Sequence, residues 1–164
     1  MNWWYTMNRR IASSGPGAKL FSHIAHHLDG PSLRWSNGRF APGAFLTGAP
    51  LVILTAVGAK SGQPRSIPLL GTPDGKNIIL IASNWGGKKH PAWYYNLKAN
   101  PQVQLTIKGQ PRPFTAQEVT GAEYDRCWQQ AVAIYPGYES YKSRTNGRAI
   151  PIFLLTPKKI VVIE

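Results

Sequence analysis

The stretch LVILTAVGAKSGQPRSIPLLGTPDGKNIILI, residues 51–81, decides the fold. It opens with Leu51–Val57, a short apolar run rich in β-branched side chains, which predicts a buried strand. Gly58–Pro64 predicts a turn, and Arg65–Leu70 leads into the next strand. Pro73-Asp74-Gly75 predicts a second turn. The strand before it and Asn77–Ile81 after it then form a hairpin.

The same pattern continues toward the C-terminus. Ser83–Lys89 is a loop holding Gly86 and Gly87, and Pro91–Ala99 predicts a short helix. Pro91 suits the first helical position, where a missing N–H costs nothing. Gln102–Lys108 and Arg112–Glu118 alternate, with Gly109-Gln110-Pro111 expected to join them as a hairpin. Thr120 and Glu123 have capping-box spacing at the start of a helix running to about Ile134. Tyr135–Arg148 is aromatic and turn-rich, and Ile150–Thr156 and Lys159–Ile163 predict closing strands. The predicted class is α+β: an antiparallel barrel of about six strands with helices at its side, spanning residues 50–164.

Residues 1–49 read as a separate helical extension. In Met1–Ile11, Trp3, Trp4, Met7 and Ile11 recur at helical spacing beside Arg9 and Arg10. That pattern fits a helix lying in a membrane interface and fits equally a helix packed on its own barrel. Ser13–Gly17 breaks the pattern, Ala18–Leu28 resumes it, and residues 30–49 are a Gly-, Pro- and Ser-rich lead-in. His23, His26 and His27 share the second stretch, but only Asp29 stands near as an acidic ligand, so no metal site is expected.

Charge narrows the function classes. There are 19 Lys and Arg against 7 Asp and Glu, a formal net charge of +12, which favours an anionic partner. Residues 51–115 hold eight of the cations (Lys60, Arg65, Lys76, Lys88, Lys89, Lys98, Lys108 and Arg112) and only Asp74 as an acid. Cys127 is the only cysteine, which excludes an internal disulfide and a dithiol couple and predicts a packing role. No signal-peptide pattern and no run near ~20 apolar residues is present, so a cytoplasmic chain is expected. If residues 1–30 dock on a membrane, it does so as a peripheral protein on the inner face.

Three stretches carry candidate chemistry. In Gly58–Arg65, two glycines leave backbone N–H groups open where Lys60, Ser61 and Arg65 can converge on a phosphate. In Ser83–Asn96, a glycine-containing loop runs into a helix N-terminus, which favours acceptor atoms. Of the adjacent Trp93, Tyr94 and Tyr95, two are expected in the core. In Tyr135–Tyr141, tyrosines at 135, 138 and 141 fall near one helical face. They can roof an apolar pocket and offer phenolic protons, or form a packing stripe. Paired catalytic carboxylates and a Gly-x-Ser-x-Gly elbow are absent from the sequence. His90, before Pro91, reads as a helix lead-in. Few catalytic side chains in a basic, glycine-rich cleft are what a cofactor-driven enzyme presents.

Together, LTAVGAKSGQPRSIPLL (54–70), IASNWGGKKHPAWYYNLKANPQVQL (81–105) and IYPGYESYKSRTNGRAIPIFLL (134–155) resemble the deazaflavin-dependent nitroreductase family. The resemblance covers about Pro50–Pro157. It implies a split β-barrel shared with flavin reductases and pyridoxamine-phosphate oxidases, coenzyme F420 as cofactor, and hydride transfer to a nitroaromatic, quinone or activated alkene. By resemblance, Lys60, Ser61 and Arg65 hold the phosphate and oligoglutamate tail. Ser66, Ile67, Pro68, Leu69 and Leu70 line the cofactor, and Ile81, Ala82, Ser83 and Asn84 lie beside the ring. Ala92, Trp93, Tyr94, Tyr95 and Asn96 offer it backbone N–H groups. Tyr138 stands beside cofactor and substrate as the catalytic candidate, with Ser83 as a second. Tyr135, Tyr141 and Trp85 complete the substrate pocket. Two departures stand out: Ala59 replaces a common basic residue, and Asn84-Trp85-Gly86 replaces Lys-Gly-Gly. The alternatives are an FMN oxidoreductase on the same barrel and a basic nucleic-acid-binding module; no recognised nucleic-acid motif supports the latter. The oligomeric state is left open.

Overall fold

A computed structural model describes residues 50–158. Six strands form a closed antiparallel barrel in the order β1-β2-β3-β6-β5-β4. They are β1 (Leu51–Val57), β2 (Pro64–Asp74), β3 (Asn77–Ile81), β4 (Gln102–Ile107), β5 (Gln110–Val119) and β6 (Ile152–Pro157). Three helices accompany them: α1 (Ala92–Ala99), α2 (Gly121–Ile134) and α3 (Gly137–Arg144). The expected six-stranded antiparallel barrel with flanking helices is therefore present. The N-terminal extension, its three histidines and the expected strand Lys159–Ile163 lie outside the described residues.

Alternation along each strand builds two cores. In β1, Val52, Leu54 and Ala56 point inward, and the register sets Val52 against Leu69 and Leu54 against Ile67 and Leu105. In β3, Leu80 faces the barrel interior while Ile79 and Ile81 face outward. The interior is closed at one end by Trp93 and Leu97 of α1. The outward face is covered by α2 and α3, which contribute Cys127, Trp128, Ala131 and the tyrosines at 135, 138 and 141. Leu54, Leu80, Leu105 and Leu155 have no exposed surface, and each such burial contributes roughly 1.5–3 kcal/mol.

Four local expectations are corrected. Pro73 and Asp74 belong to β2, opposite Ile78 and Asn77, and the turn is Gly75-Lys76 with Gly75 at φ 60°. The strand outruns its Pro-Asp signal because Arg126 grips the Asp74 carboxylate at 3.0 Å and Gln130 donates to the Pro73 carbonyl at 2.6 Å. The second hairpin turns at Lys108-Gly109, not at Gly109–Pro111, with φ of 51° and 79°. That two-residue positive-φ turn matches strand twist, so Gln110 and Pro111 enter β5. Pro91 is the N-cap of α1, with extended backbone at ψ 153°, and Ala92 opens the helix. Thr120 is the N-cap of α2 but makes no side-chain cap bond; Gly121, the first residue of the helix, sits at φ 59°, and Glu123 instead approaches Arg126 at 3.7 Å.

Candidate functional site

The turn between β1 and β2 is narrow because two backbone bonds fold it on itself. Gly58 N–H donates to the Gln63 carbonyl at 2.9 Å, and Gly62 N–H donates to the Gly58 carbonyl at 2.8 Å. Gly62 has φ 65°, and a Cβ on Gly58 would lie 2.5 Å from Ser61 Oγ. The Ser61 hydroxyl accepts from Gln63 N–H at 3.3 Å and keeps its own proton to donate. Lys60 and Arg65 are exposed at this turn. Neither is in an ion pair with a described residue, where the pairs formed are Lys98–Glu118, Arg126–Asp74 and Arg126–Glu123. Two unneutralised cations and a hydroxyl on a tight glycine turn are a donor set that fits a phosphate and a carboxylate-bearing tail.

This turn is joined to α1. Asn96 Oδ1 accepts from Ala59 N–H at 2.9 Å, so its side-chain carbonyl holds the turn. The three aromatics of α1 divide as expected: Trp93 is in the core, Tyr94 packs against it, and Tyr95 is 52% exposed. Tyr94 N–H is already used, donating to the Pro91 carbonyl at 3.1 Å. Ala92 and Trp93 stand in the first turn, where helical geometry provides no internal acceptor for an N–H.

Strand period splits the expected cofactor wall on β2. Ser66, Pro68 and Leu70 face out of the barrel, and Ser66 Oγ is 2.9 Å from Thr55 Oγ1. Ile67 and Leu69 pack against the interior cluster and can present only backbone to a groove outside. Leu70 packs against the α2/α3 cluster.

After β3 the chain enters a strained bend. Ala82 and Ser83 are buried, and Asn84–Gly86 form one 3-10 turn. Asn84 and Trp85 are non-glycine residues at φ 49° and 56°, a left-handed conformation costing about 1–2 kcal/mol per residue. Asn84 Nδ2 donates to the Lys89 carbonyl at 2.9 Å, and Gly87 N–H donates to the Asn84 carbonyl at 2.8 Å. Trp85 is 38% exposed and its ring meets Tyr141 edge-on at 6.0 Å. A Cβ on Gly86 would come within 3.1 Å of the Tyr141 carbonyl, so glycine allows the bend to seat on α3.

The sequence reading missed Arg148. Its guanidinium donates to the Ser83 carbonyl at 2.7 Å, to Gly87 at 3.0 Å and to Ala82 at 3.4 Å. It also donates to the Ala149 carbonyl and to His90 Nδ1, both at 3.0 Å. Arginine cannot accept, so His90 Nδ1 carries the lone pair and Nε2 the proton. Desolvation, with Arg148 second, holds the His90 pKa below its ordinary 6.5. The His90 ring stacks on Tyr94 at 4.6 Å. Helix α1 therefore bridges the two regions: its Asn96 holds the Lys60 turn, and its Tyr94 stacks on His90, which meets the Arg148 that binds the Ser83 carbonyl.

The tyrosines of the third stretch are brought together and buried. Tyr135 and Tyr141 hydroxyls are 2.8 Å apart, and the Tyr138 ring meets Tyr135 at 5.2 Å and Tyr141 at 6.0 Å. Burial raises all three phenol pKa values. Each keeps its proton at neutral pH. No group of three or more potential metal ligands forms among the described residues.

The profile of a family described as F420H(2)-dependent quinone reductase matches residues 32–157. The match begins ahead of the boundary expected at residue 50. A curated F420H(2)-dependent quinone reductase of Mycobacterium tuberculosis is 38% identical over 129 residues, 75% of this chain and 83% of that protein. A solved F420-H2 dependent reductase, FDR-A, is 40% identical with a TM-score of 0.60, over 65% of this chain and 93% of its own. A solved domain-swapped dimer is 36% identical with a TM-score of 0.62, over 76% of this chain and 93% of that one.

Proposed function

Since the chain belongs to the F420H(2)-dependent quinone reductase family and is an F420-dependent reductase, we propose that it reduces quinones by hydride transfer, and that the same cleft admits nitroaromatics and activated alkenes. The family assignment resolves the choice between F420 and FMN in favour of F420. The observation that carries the site reading is the pair of unneutralised cations, Lys60 and Arg65, on a glycine turn tied to α1.

When bound, reduced coenzyme F420 supplies a two-electron hydride donor and brings a polyanionic tail. Lys60, Ser61 and Arg65 bind the phosphate and tail. The outward face of β2 and the bend from Ile81 to Asn84 orient the ring, and the first turn of α1 gives N–H groups to its acceptors. Quinone reduction consumes a proton with the hydride, and the buried Tyr138 phenol, neutral at working pH, can hold and pass one. Ser83, Tyr135, Tyr141 and Trp85 bound the acceptor, which must be planar and apolar to fit among these rings. Residues 1–30 dock the chain peripherally where lipid-soluble quinones reside. None of the described helices is long and apolar enough to cross a membrane.

Steady-state assays with F420H2 and a short-chain benzoquinone, a nitroimidazole and a cyclic enone test the acceptor range. One hydroquinone formed per F420H2 consumed, with a slower reaction from C5-deuterated coenzyme, is expected. Radical products under oxygen would overturn hydride transfer. Liposome co-sedimentation with and without residues 1–30 tests the membrane contact.

A further inference from the structure

Two consecutive left-handed residues, Asn84 and Trp85, need something to hold them. Arg148 meets the same bend from 58 to 66 residues away, on three carbonyls and one ring nitrogen. We propose that Arg148 is a positioning residue for the reaction: its guanidinium clamps the strained 82–90 bend, and so fixes Ser83 and Trp85 beside the reacting ring. The inference rests on the functional reading that this bend borders the deazaflavin.

The chemistry suits arginine alone. Its planar fork presents five N–H donors at fixed angles, which a lysine's point charge cannot reproduce on carbonyls approaching from several directions. His90 completes the clamp only when neutral. A protonated ring would lose its Nδ1 acceptor and set a second cation 3.0 Å from the guanidinium. The other groups facing His90 are the Tyr94 and Tyr95 rings and the more distant Glu118 charge, itself paired with Lys98. None of these can replace the lost acceptor. The clamp is therefore complete at pH 7 and loosens as pH falls from His90's ordinary 6.5 through its lowered value.

Amide hydrogen exchange of the full chain without cofactor reads the clamp directly. In Arg148→Lys, exchange at residues 83–89 is expected to speed up about tenfold or more, with β3 and β6 amides unchanged. In the same variant kcat with F420H2 and a benzoquinone falls about tenfold. F420 affinity moves less than about threefold, because the charge-assisted contacts proposed for the Lys60 turn are left untouched. His90→Phe, which preserves ring stacking, loosens the bend at about pH 7 and abolishes the loss of protection that the native chain shows toward about pH 5. Unchanged exchange in Arg148→Lys, or an equal rise throughout the barrel, overturns the clamp and leaves the functional reading standing. Faster exchange confined to the bend, with kcat and affinity both unchanged, shows that the bend does not border the ring. That result overturns the positioning role and the site reading together. If Arg148→Lys does not fold, His90→Phe and the pH dependence of the native chain decide the same question.

Discussion

Asn96 Oδ1 accepts the Ala59 N–H at 2.9 Å, and this bond fixes the distance between α1 and the turn that carries Lys60. Asn96→Ala leaves the amide to water and frees the turn. A loss of about 0.5–1.5 kcal/mol in urea unfolding is expected, together with a severalfold weaker F420 affinity by fluorescence titration. Asn96→Asp preserves the acceptor. It should retain stability yet weaken binding of the anionic cofactor, since it adds a negative charge beside the turn proposed to hold the phosphate. Equal affinity in native and Asp variants would separate Asn96 from that site.

In the proposed site, Lys60→Ala and Arg65→Ala would each remove one charge-assisted contact to the anionic tail. Each should weaken F420 binding by about 1.5–3 kcal/mol while thermal stability stays unchanged, because neither side chain is paired within the described fold. The affinity of the native chain should also fall with added salt more steeply than that of either variant. Titration at two salt concentrations checks both points, and unchanged affinity in both variants would dismantle the phosphate-site reading.

The barrel was legible because its strands are short apolar or alternating runs bounded by turn signals. Leu51–Val57 and Asn77–Ile81 are short apolar runs between turn signals, and both are strands with the bounds expected. Turn positions were less legible. Pro73-Asp74-Gly75 carries turn chemistry, but Arg126 holds Asp74 from 52 residues away and keeps it in the strand. The site divided along the same line. The glycine turn at Lys60 is local and visible in sequence, whereas Asn96 reaches it across 37 residues. Arg148 gave no signal at all. It is a lone arginine after Asn146-Gly147, and apart from His90, 58 residues away, its partners are backbone carbonyls, which no residue pattern encodes.

Asp74 and Arg126 tie the β2–β3 hairpin to α2. The hydrogen bond from Arg126 is the main cause holding the Asp74 carboxyl below its ordinary 3.8. Because the folded value is depressed, the contribution is complete above pH 3.8 and is lost as pH falls from there through the lowered value. The Arg126 side chain is 47% exposed, so the effect is screened and modest. Asp74→Asn should lower Tm by a few degrees at about pH 7, and the difference should shrink as pH falls below 3.8. A constant difference across that range would assign the loss to packing.

Tyr135 and Tyr141 satisfy one another through a 2.8 Å hydroxyl contact in the buried cluster that also holds Tyr138. Tyr141→Phe strands the Tyr135 hydroxyl and should cost about 1–3 kcal/mol; the double Phe variant should cost less than the two single changes combined. Tyr138→Phe is the functional test. With the phenol as proton source, kcat should drop about tenfold or more while F420 affinity holds. Burial raises all three phenol values, so no tyrosine ionisation should limit the pH–rate profile below about pH 10. If Tyr138→Phe keeps full turnover, the proton comes from water, and the three tyrosines are a packing stripe that shapes the acceptor pocket without serving it.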